Sequence, residues 1–576
     1  MKADHAVQDR LQNAVWLRWL LLAFFMISWV LIVISFPVYF QRDDAKELYW
    51  SQHHSFIQAF IPTVDNALWH DGMYRPFREG GYLLLYKLFG LNSYGYHFAL
   101  GLLLILTLVF LFKLAARIGN YATAYIMVFV WLGAFQFLLT NVFWFADLPH
   151  LVEIALISSG LYLFISGLGK SAIKTASGLA LVLLAFLAKE PAMIIGPTAI
   201  SVYLATNGVS RFLWGPRKTA SLSILVLLTG PAYVAAFPYG FRRFAAGNAS
   251  TSAAIGDLLT KFHFYGGILT SGLTGLALLL PAMCYLAMRL VPAKNGKVSG
   301  MFPYAMAASG VMVLAIMKLH WSALGIVILF AGALAIPRDR YFLLPWAFLP
   351  LAALCSVALM VRTYLYESSF ALAMLAAIQA QAVASQLIGW WNDQIRIRAL
   401  SYMVVALLVL CGSGLLTVKL GKQAKLLRLR SDSSMLVSKI TPVLCSLPAG
   451  SILVTIDYES LGYSDILGHS DVLKHSEVMR LPDEQKVLLQ TPMQYPHSIY
   501  WLKVIGKTDT TMVEFRNYQK NPDEYHRHSP VFLWLQTKAD HDFLAKQNLI
   551  TRPFGSATQG EAKSEILELP DFSRRK

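Results

Sequence analysis

Hydrophobic residues in this chain come in long runs separated by short polar connections. The first is "WLLLAFFMISWVLIVISF", residues 19 to 36. Comparable runs centre near residues 105, 130, 157, 180, 199, 229, 279, 309, 329, 351, 378 and 409. A membrane-crossing helix needs roughly 17 to 25 mostly apolar residues, so the pattern predicts about 13 transmembrane helices. Two stretches break the rhythm of short connections: residues 41–94 after the first span, and residues 422–576 after the last.

The first stretch opens "QRDDAKELYWSQHHSFIQAF". Phe56 and Phe60, with Ile57 and Ile61, recur at helical spacing while His53, His54 and Gln58 face elsewhere, which predicts a helix lying on the membrane surface. "DGMYRPF" then supplies turn chemistry, and "YLLLYKLFG" predicts a second interfacial helix ending at Gly90. Trp50, Trp69, Tyr82, Tyr86, Tyr94 and Tyr96 suit the headgroup level. The tail from Lys422 onward interleaves charges throughout and predicts a small soluble α/β domain. "SSMLVSKITPVLCSL" is expected to be helical. "PAGSILVTIDYES" is expected to form a strand with Ile452, Val454 and Ile456 on one buried face, and "SIYWLKVIG", "MVEFRNY" and "PVFLWLQT" are further strand candidates. Asp457, Glu459 and Asp465 read as a polar loop, and "DEYHRH" lacks a trustworthy metal-ligand spacing. The fold class expected is thus an all-α polytopic membrane bundle, residues 1–421, carrying a small α/β domain, residues 422–576.

Composition agrees. The 576 residues are 56% hydrophobic and 14% charged, with a mean hydropathy of +0.51. The net charge of +16 does not point to nucleic acid, because the basic residues are spread over alternate connections: Lys113 and Arg117, Lys170 and Lys174, Arg211 and Lys218, Arg289 and Lys297, Arg338 and Arg340, Arg396 and Arg398. That alternation predicts a cytoplasmic N-terminus, and the odd span count then puts the C-terminal domain on the opposite side. "PVYFQRDD" lacks a small-residue cleavage site, so the first span reads as uncleaved. Cys284, Cys355, Cys411 and Cys445 form neither a disulfide framework nor a zinc-ligand pattern.

Polar residues gather where spans meet the non-cytoplasmic edge. "FWFADLPHLVE" carries Asp147 and His150. "FLAKEPAMI" carries Lys189 and Glu190, "KLHW" carries Lys318 and His320, and "VRTYLYESS" carries Arg362, Tyr364, Tyr366 and Glu367. Any one charge there can snorkel to water. Together, the ladder brings Asp43, Asp44, Arg75, Asp147, Lys189 and Arg362 to one level, which predicts a polar cleft opening outward from an apolar bundle.

"YRPFREGGYLLLYKLFGLNSYGYHF" resembles the Tyr-Arg-Pro segment, apolar helix and Gly-Tyr-His turn of membrane glycosyltransferases of the GT-C class, most closely the protein O-mannosyltransferases with tetratricopeptide repeats and their bacterial relatives. "RDD" resembles that class's acidic pair, "FADLPHL" its Asp-bearing start of span four, "LLAFLAKEPAMIIGP" its Lys-Glu turn, and "VRTYLYESS" its Arg-Tyr-Leu-Tyr segment. The order of motifs covers about the first 370 residues. The chain departs from the pattern at Val361 and Thr363, which flank Arg362, and its tail has no tetratricopeptide period.

The resemblance implies sugar transfer from a polyprenyl-phosphate donor, of the undecaprenyl-phosphate type, to an acceptor hydroxyl on the outer face of a bacterial inner membrane, with inversion. Asp43 or Asp44 would be the general base, Asp43 by the family pattern, and the other acid would orient the acceptor or hold a divalent cation. Departing lipid phosphate gains charge and needs cationic donors: Arg75 and Arg362 first, with Lys189, His97 and Tyr364 as further donor-phosphate candidates. Tyr74, Asp147, His150 and Glu190 would support the site. Lys189 has a second option, pairing with Glu190 or Asp147 to fix the floor of the cleft, and His97 can equally serve a structural hydrogen bond. The acceptor, whether protein, lipid or polysaccharide, is left open. An O-antigen ligase or polymerase, and a transporter or flippase, are the rival classes. The first would place its large outer loop late in the bundle, and the second would show repeated halves with broken helices; neither pattern is present.

Overall fold

The computed structural model describes, apart from a few single positions, residues 30–35, 38–40, 43–61, 74–134, 148–189, 191–212, 216–236, 265–290, 302–318, 321–354, 365–392, 434–455, 497–535 and 551–569. Three short helices come first: α1 (Asp43–His53), α2 (Phe56–Phe60) and α3 (Pro76–Phe89). The bundle follows with α4 (Ser93–Ile118), α5 (Tyr121–Ala134), α6 (Leu148–Gly167), α7 (Ala172–Leu184), α8 (Ala192–Phe212), α9 (Pro216–Ala236), α10 (Gly272–Leu290), α11 (Phe302–Lys318), α12 (Ser322–Leu334), α13 (Leu343–Leu354) and α14 (Tyr366–Asn392). The eleven run centres from 105 to 378 each fall inside one of the helices α4 to α14. The thirteenth, near 409, lies outside the described residues. Among the described residues, Ser93–Ile118, Leu148–Gly167 and Glu367–Gln386 are long and apolar enough to cross a membrane, and the others are shorter apolar helices.

Local chemistry sets several ends. Arg75 caps α3, Pro76 takes the first helical position where its missing N–H costs nothing, Glu79 lies in the first turn and Lys87 in the last. Gly90 closes the helix at φ 55° while its N–H bonds the Tyr86 carbonyl at 2.7 Å, a conformation that favours glycine. Asn92 then caps α4 by accepting from the Tyr94 N–H at 3.1 Å. Pro197, Pro231, Pro281 and Pro350 sit inside helices, as packed membrane helices tolerate. Small residues let α6 and α7 touch: a Cβ on Gly178 would collide with the Phe164 backbone nitrogen and come within 2.6 Å of the Gly160 carbonyl oxygen.

The stretch expected to hold one surface helix forms two, α1 and α2, and Trp50, Tyr82 and Tyr96, expected at the headgroup level, are buried. Phe56 and Ile57 on α2, and Leu84 and Leu88 on α3, are exposed, while α3 turns its other face to α1, α2 and α6. Gly81 of α3 abuts Leu148, the first residue of α6.

The C-terminal region holds α15 (Ser434–Cys445), β1 (Ile452–Thr455), α16 (His497–Val504), β2 (Thr511–Glu514), α17 (Phe515–Lys520), α18 (Pro522–His526), β3 (Val531–Leu535), β4 (Arg552–Gln559) and β5 (Ala562–Leu569). The sheet order is β2-β1-β3-β5-β4; β1 runs parallel to β2 and β3, and β5 is antiparallel to β3 and β4. Two expectations are corrected. "SIYWLKVIG" is the helix α16, not a strand: a short apolar run does not fix its own period, and Trp501, Leu502 and Val504 bury on helical spacing. "MVEFRNY" is a strand only to Glu514, after which Phe515 opens α17. β1 buries Leu453 and Thr455 as well as Val454, since a central parallel strand is covered on both faces. Ile456, Asp457, Glu459 and Asp465 lie outside the described residues, as do Arg527 and His528 of "DEYHRH". His526 is buried and bonds the Tyr518 hydroxyl at 2.9 Å. Strands β4 and β5 had no expectation attached.

This region docks on α1. Gln52 Nε2 donates to the Val504 carbonyl at 3.1 Å, Lys503 Nζ lies 5.2 Å from the Tyr49 ring centre, and the Tyr39 N–H donates to Ser434 Oγ at 2.9 Å.

Candidate functional site

Two polar clusters lie on neighbouring elements. The first is built on α1 and α3. Asp44 and Glu47 are one turn apart on α1; Arg75, Arg78, Glu79 and Tyr82 follow one face of α3. Asp44, Glu47, Glu79 and Tyr82 are at most 1% exposed. Arg78 Nη2 donates to Glu47 Oε1 in a close ion pair, and the guanidinium carbon lies 5.6 Å from the Tyr82 ring centre. Burial works against the Arg78 charge, but Glu47 beside it holds the pKa above the ordinary arginine value. Burial pushes Glu79 up to about 9 despite the opposing pull of Arg78 and, more weakly, Arg75. Glu79 therefore carries its proton at neutral pH. Tyr82 is raised well above 10, by burial first, with the charges of Glu47 and Asp44 adding to it.

Glu47 pairs with Arg78, and Glu47 and Asp44 both raise the Tyr82 pKa, so the acid-bearing face of α1 lies against the Arg78–Tyr82 stretch of α3. Arg75 and Tyr82 are seven residues apart, about 10 Å along a helix. Arg75 is half-buried. Tyr74 donates its hydroxyl to the Phe60 carbonyl at 2.7 Å and so ties the start of α3 to α2. His97 Nε2 meets the Val38 carbonyl at 2.8 Å and is buried, fastening α4 to the segment that leads into α1. Asp43 opens α1, with its side chain outside the described residues.

The second cluster lies inside the bundle. His150 and Glu153, one turn apart on α6, meet Lys189 from the turn between α7 and α8 and Glu367 from the first turn of α14. All four are buried. His150 Nδ1 lies 2.7 Å from Glu367 Oε1, and Lys189 Nζ donates to the same oxygen at 3.2 Å. Nζ also lies 2.6 Å from His150 Nδ1 and in close contact with Nε2. Glu153 lies beside Glu367 in the same buried group. Trp131 of α5 braces the same turn of α14: its indole N–H donates to Ser369 Oγ at 3.0 Å and its ring stacks on Phe370 at 4.8 Å.

One ligand atom each from His150, Glu153 and Glu367 lies within 4.8 Å of the others, a donor set with metal-binding character. The Lys189 ammonium stands beside them and is paired with Glu367.

Of the residues singled out in the sequence, the structure thus groups Asp44 with α3, and Lys189 with His150. Asp147, Glu190, Arg362 and Tyr364 lie outside the described residues. Glu47, Arg78, Glu79 and Glu153 were not singled out individually, and Glu367 had been noted only as polar. Their signal was present as spacing: Asp44 and Glu47, Arg75 and Arg78, and His150 and Glu153 are each three residues apart, on one helix face.

No family model matches the chain, and no curated protein matches it. Over 97% of its length it is similar to the crystal structure of ArnT from Cupriavidus metallidurans bound to undecaprenyl phosphate, at a TM-score of 0.41 and 15% identity, covering 99% of that chain. The apo state of the same protein is similar at a TM-score of 0.38 and 14% identity, with the same coverage. Likeness at that level assigns no activity to this chain.

Proposed function

We propose that the chain is a membrane glycosyltransferase of the GT-C class that moves a sugar from a polyprenyl-phosphate donor to an acceptor hydroxyl at the non-cytoplasmic edge of the membrane. The observation that carries this reading is the packed pair α1 and α3, locked by Glu47 and Arg78 beside an apolar bundle. In this reading the acids that open α1 face Tyr82, and Arg75 lies about two turns away along α3. An inverting displacement needs such a span. The base hydrogen-bonds the acceptor oxygen, that oxygen lies roughly 3 to 3.5 Å from the anomeric carbon, and the cation meets phosphate on the far side. End to end this is on the order of 10 Å, the length of α3 between Arg75 and Tyr82.

In the reaction, a carboxylate of the Asp43–Asp44 pair takes the acceptor proton as the oxygen attacks the anomeric carbon. The bond from that carbon to the phosphate oxygen breaks, and its electron pair leaves with the lipid phosphate. Asp44 is enclosed against Tyr82, which favours a positioning role for it and the base role for Asp43. Arg75, with Arg362, stabilises the departing phosphate; a guanidinium offers it two parallel donors. Exposed Phe56, Ile57, Leu84 and Leu88 give the lipid tail an apolar surface beside the charged pair. The motif order read in the sequence supports the same class.

The test is transfer by the purified protein from a panel of polyprenyl-phosphate sugars, comparing wild type with Asp43→Asn and Asp44→Asn. Asp43→Asn is expected to lower turnover by about 10² to 10⁴, the usual contribution of a general base. Full activity in both variants would overturn the base assignment. A wild-type protein that neither transfers sugar nor releases lipid phosphate from any donor would overturn the class.

A further inference from the structure

We infer that Lys189, His150, Glu153 and Glu367 form a buried keystone that positions the reacting segments, and that the Lys189 ammonium serves this keystone instead of the donor phosphate. The inference rests on the transfer reading above. Three observations lead to it. The ammonium is buried and bonded to Glu367 at 3.2 Å with His150 at 2.6 Å, so its charge is already answered within the bundle. The four residues come from three places far apart in the chain, residues 150 and 153, residue 189 and residue 367, and each lies at the start of a helix or in a turn. In the sequence, Asp147 is three residues before His150, Glu190 follows Lys189, and Arg362 is five residues before Glu367. Finally, the network reaches the first cluster through α6, because Leu148 beside His150 abuts Gly81 of α3.

Charge counting gives the keystone its character. In an apolar bundle a net charge is costly, and removing one member of a buried ion pair is far worse than removing both. Lys189 and Glu367 are such a pair. Lys189→Met leaves Glu367 without its cation. Lys189→Met with Glu367→Gln removes both partners.

That pair of variants separates positioning from contact with substrate. We expect Lys189→Met to lose about 10²-fold in turnover at saturating donor, the scale on which a small misplacement of reacting groups acts. The double variant should regain roughly tenfold of that loss. Binding of undecaprenyl phosphate itself, measured well below the melting temperature, should be the same in the double variant and the wild type. If the double variant is no better than Lys189→Met and both bind undecaprenyl phosphate weakly, Lys189 touches the donor and the inference is overturned. A loss of turnover that only follows the loss of folded protein overturns it equally. Thermal midpoints of the two single variants and the double are read on the same samples. An inert wild type with coupled midpoints sinks the transfer reading and leaves the keystone standing, whereas additive midpoints sink the keystone.

Discussion

The two polar clusters are built from the same residue types and differ in how the chain assembles them. The pair on α1 and α3 comes from one continuous stretch, residues 43 to 89, and joins a guanidinium to a single glutamate with a protonated second glutamate alongside. The keystone in the bundle joins residues up to 217 positions apart, and sets one ammonium against a histidine and Glu367. A local cluster can be tuned by changing neighbours on two short helices. A distributed one fixes the relative positions of α6, the turn before α8, and α14, so it suits a rigid floor better than a binding group. Arg78 and Lys189 are each paired with a carboxylate within the protein.

The largest expected effect that tests this contrast is on Arg78. Arg78→Met strands the buried Glu47 carboxylate and should cost about 3 to 5 kcal/mol of stability, seen as a lowered thermal midpoint; adding Glu47→Gln should recover most of it. If Arg78→Met melts like wild type, the ion pair does not lock α1 to α3. The next effect concerns Glu79. Its pKa is raised from 4.5 to about 9 in the folded protein, chiefly by burial, so the folded state holds a proton that the unfolded chain has released. Its stabilising contribution is therefore complete below about pH 4.5 and is lost as pH rises towards about 9. Glu79→Gln should flatten the fall in thermal midpoint over that range, a slope of at most about 1.4 kcal/mol per pH unit for one group. An unchanged pH profile would show that Glu79 is ionised and that the first cluster carries one more charge than assigned. The smallest effect is at the junction with the C-terminal region. Lys503→Ala removes the cation over the Tyr49 ring and should cost only about 0.5 to 1 kcal/mol. Hydrogen exchange over residues 43–53 should rise modestly, and no change there would mean that Lys503 contributes nothing to holding α1.

Much of the fold was legible because a membrane helix is a one-dimensional signal. The runs centred from 105 to 378 became α4 to α14, and the helix ending at Gly90 was marked by its own turn residue. The readings that failed were short: "SIYWLKVIG" is too brief to reveal a period, and it is a helix packed against α1 and α15, where the Trp501 indole donates to Thr441 Oγ1 at 3.3 Å. Within the candidate site, Asp44, Arg75, Lys189 and His150 stood out as charges in or beside apolar sequence. Their partners did not, because Glu47 and Arg78 look like ordinary charges of a surface helix until α1 is laid against α3.

By itself, the sequence determined that the chain is a helical membrane protein, where most of its helices fall, and which stretches concentrate polar chemistry, since hydropathy and helix-end residues act over a few turns. Only the tertiary structure decided which charge answers which. Pairing Lys189 with Glu367, or Arg78 with Glu47, depends on three-dimensional approach inside a medium where an unanswered charge is costly, and no spacing along the chain encodes that approach.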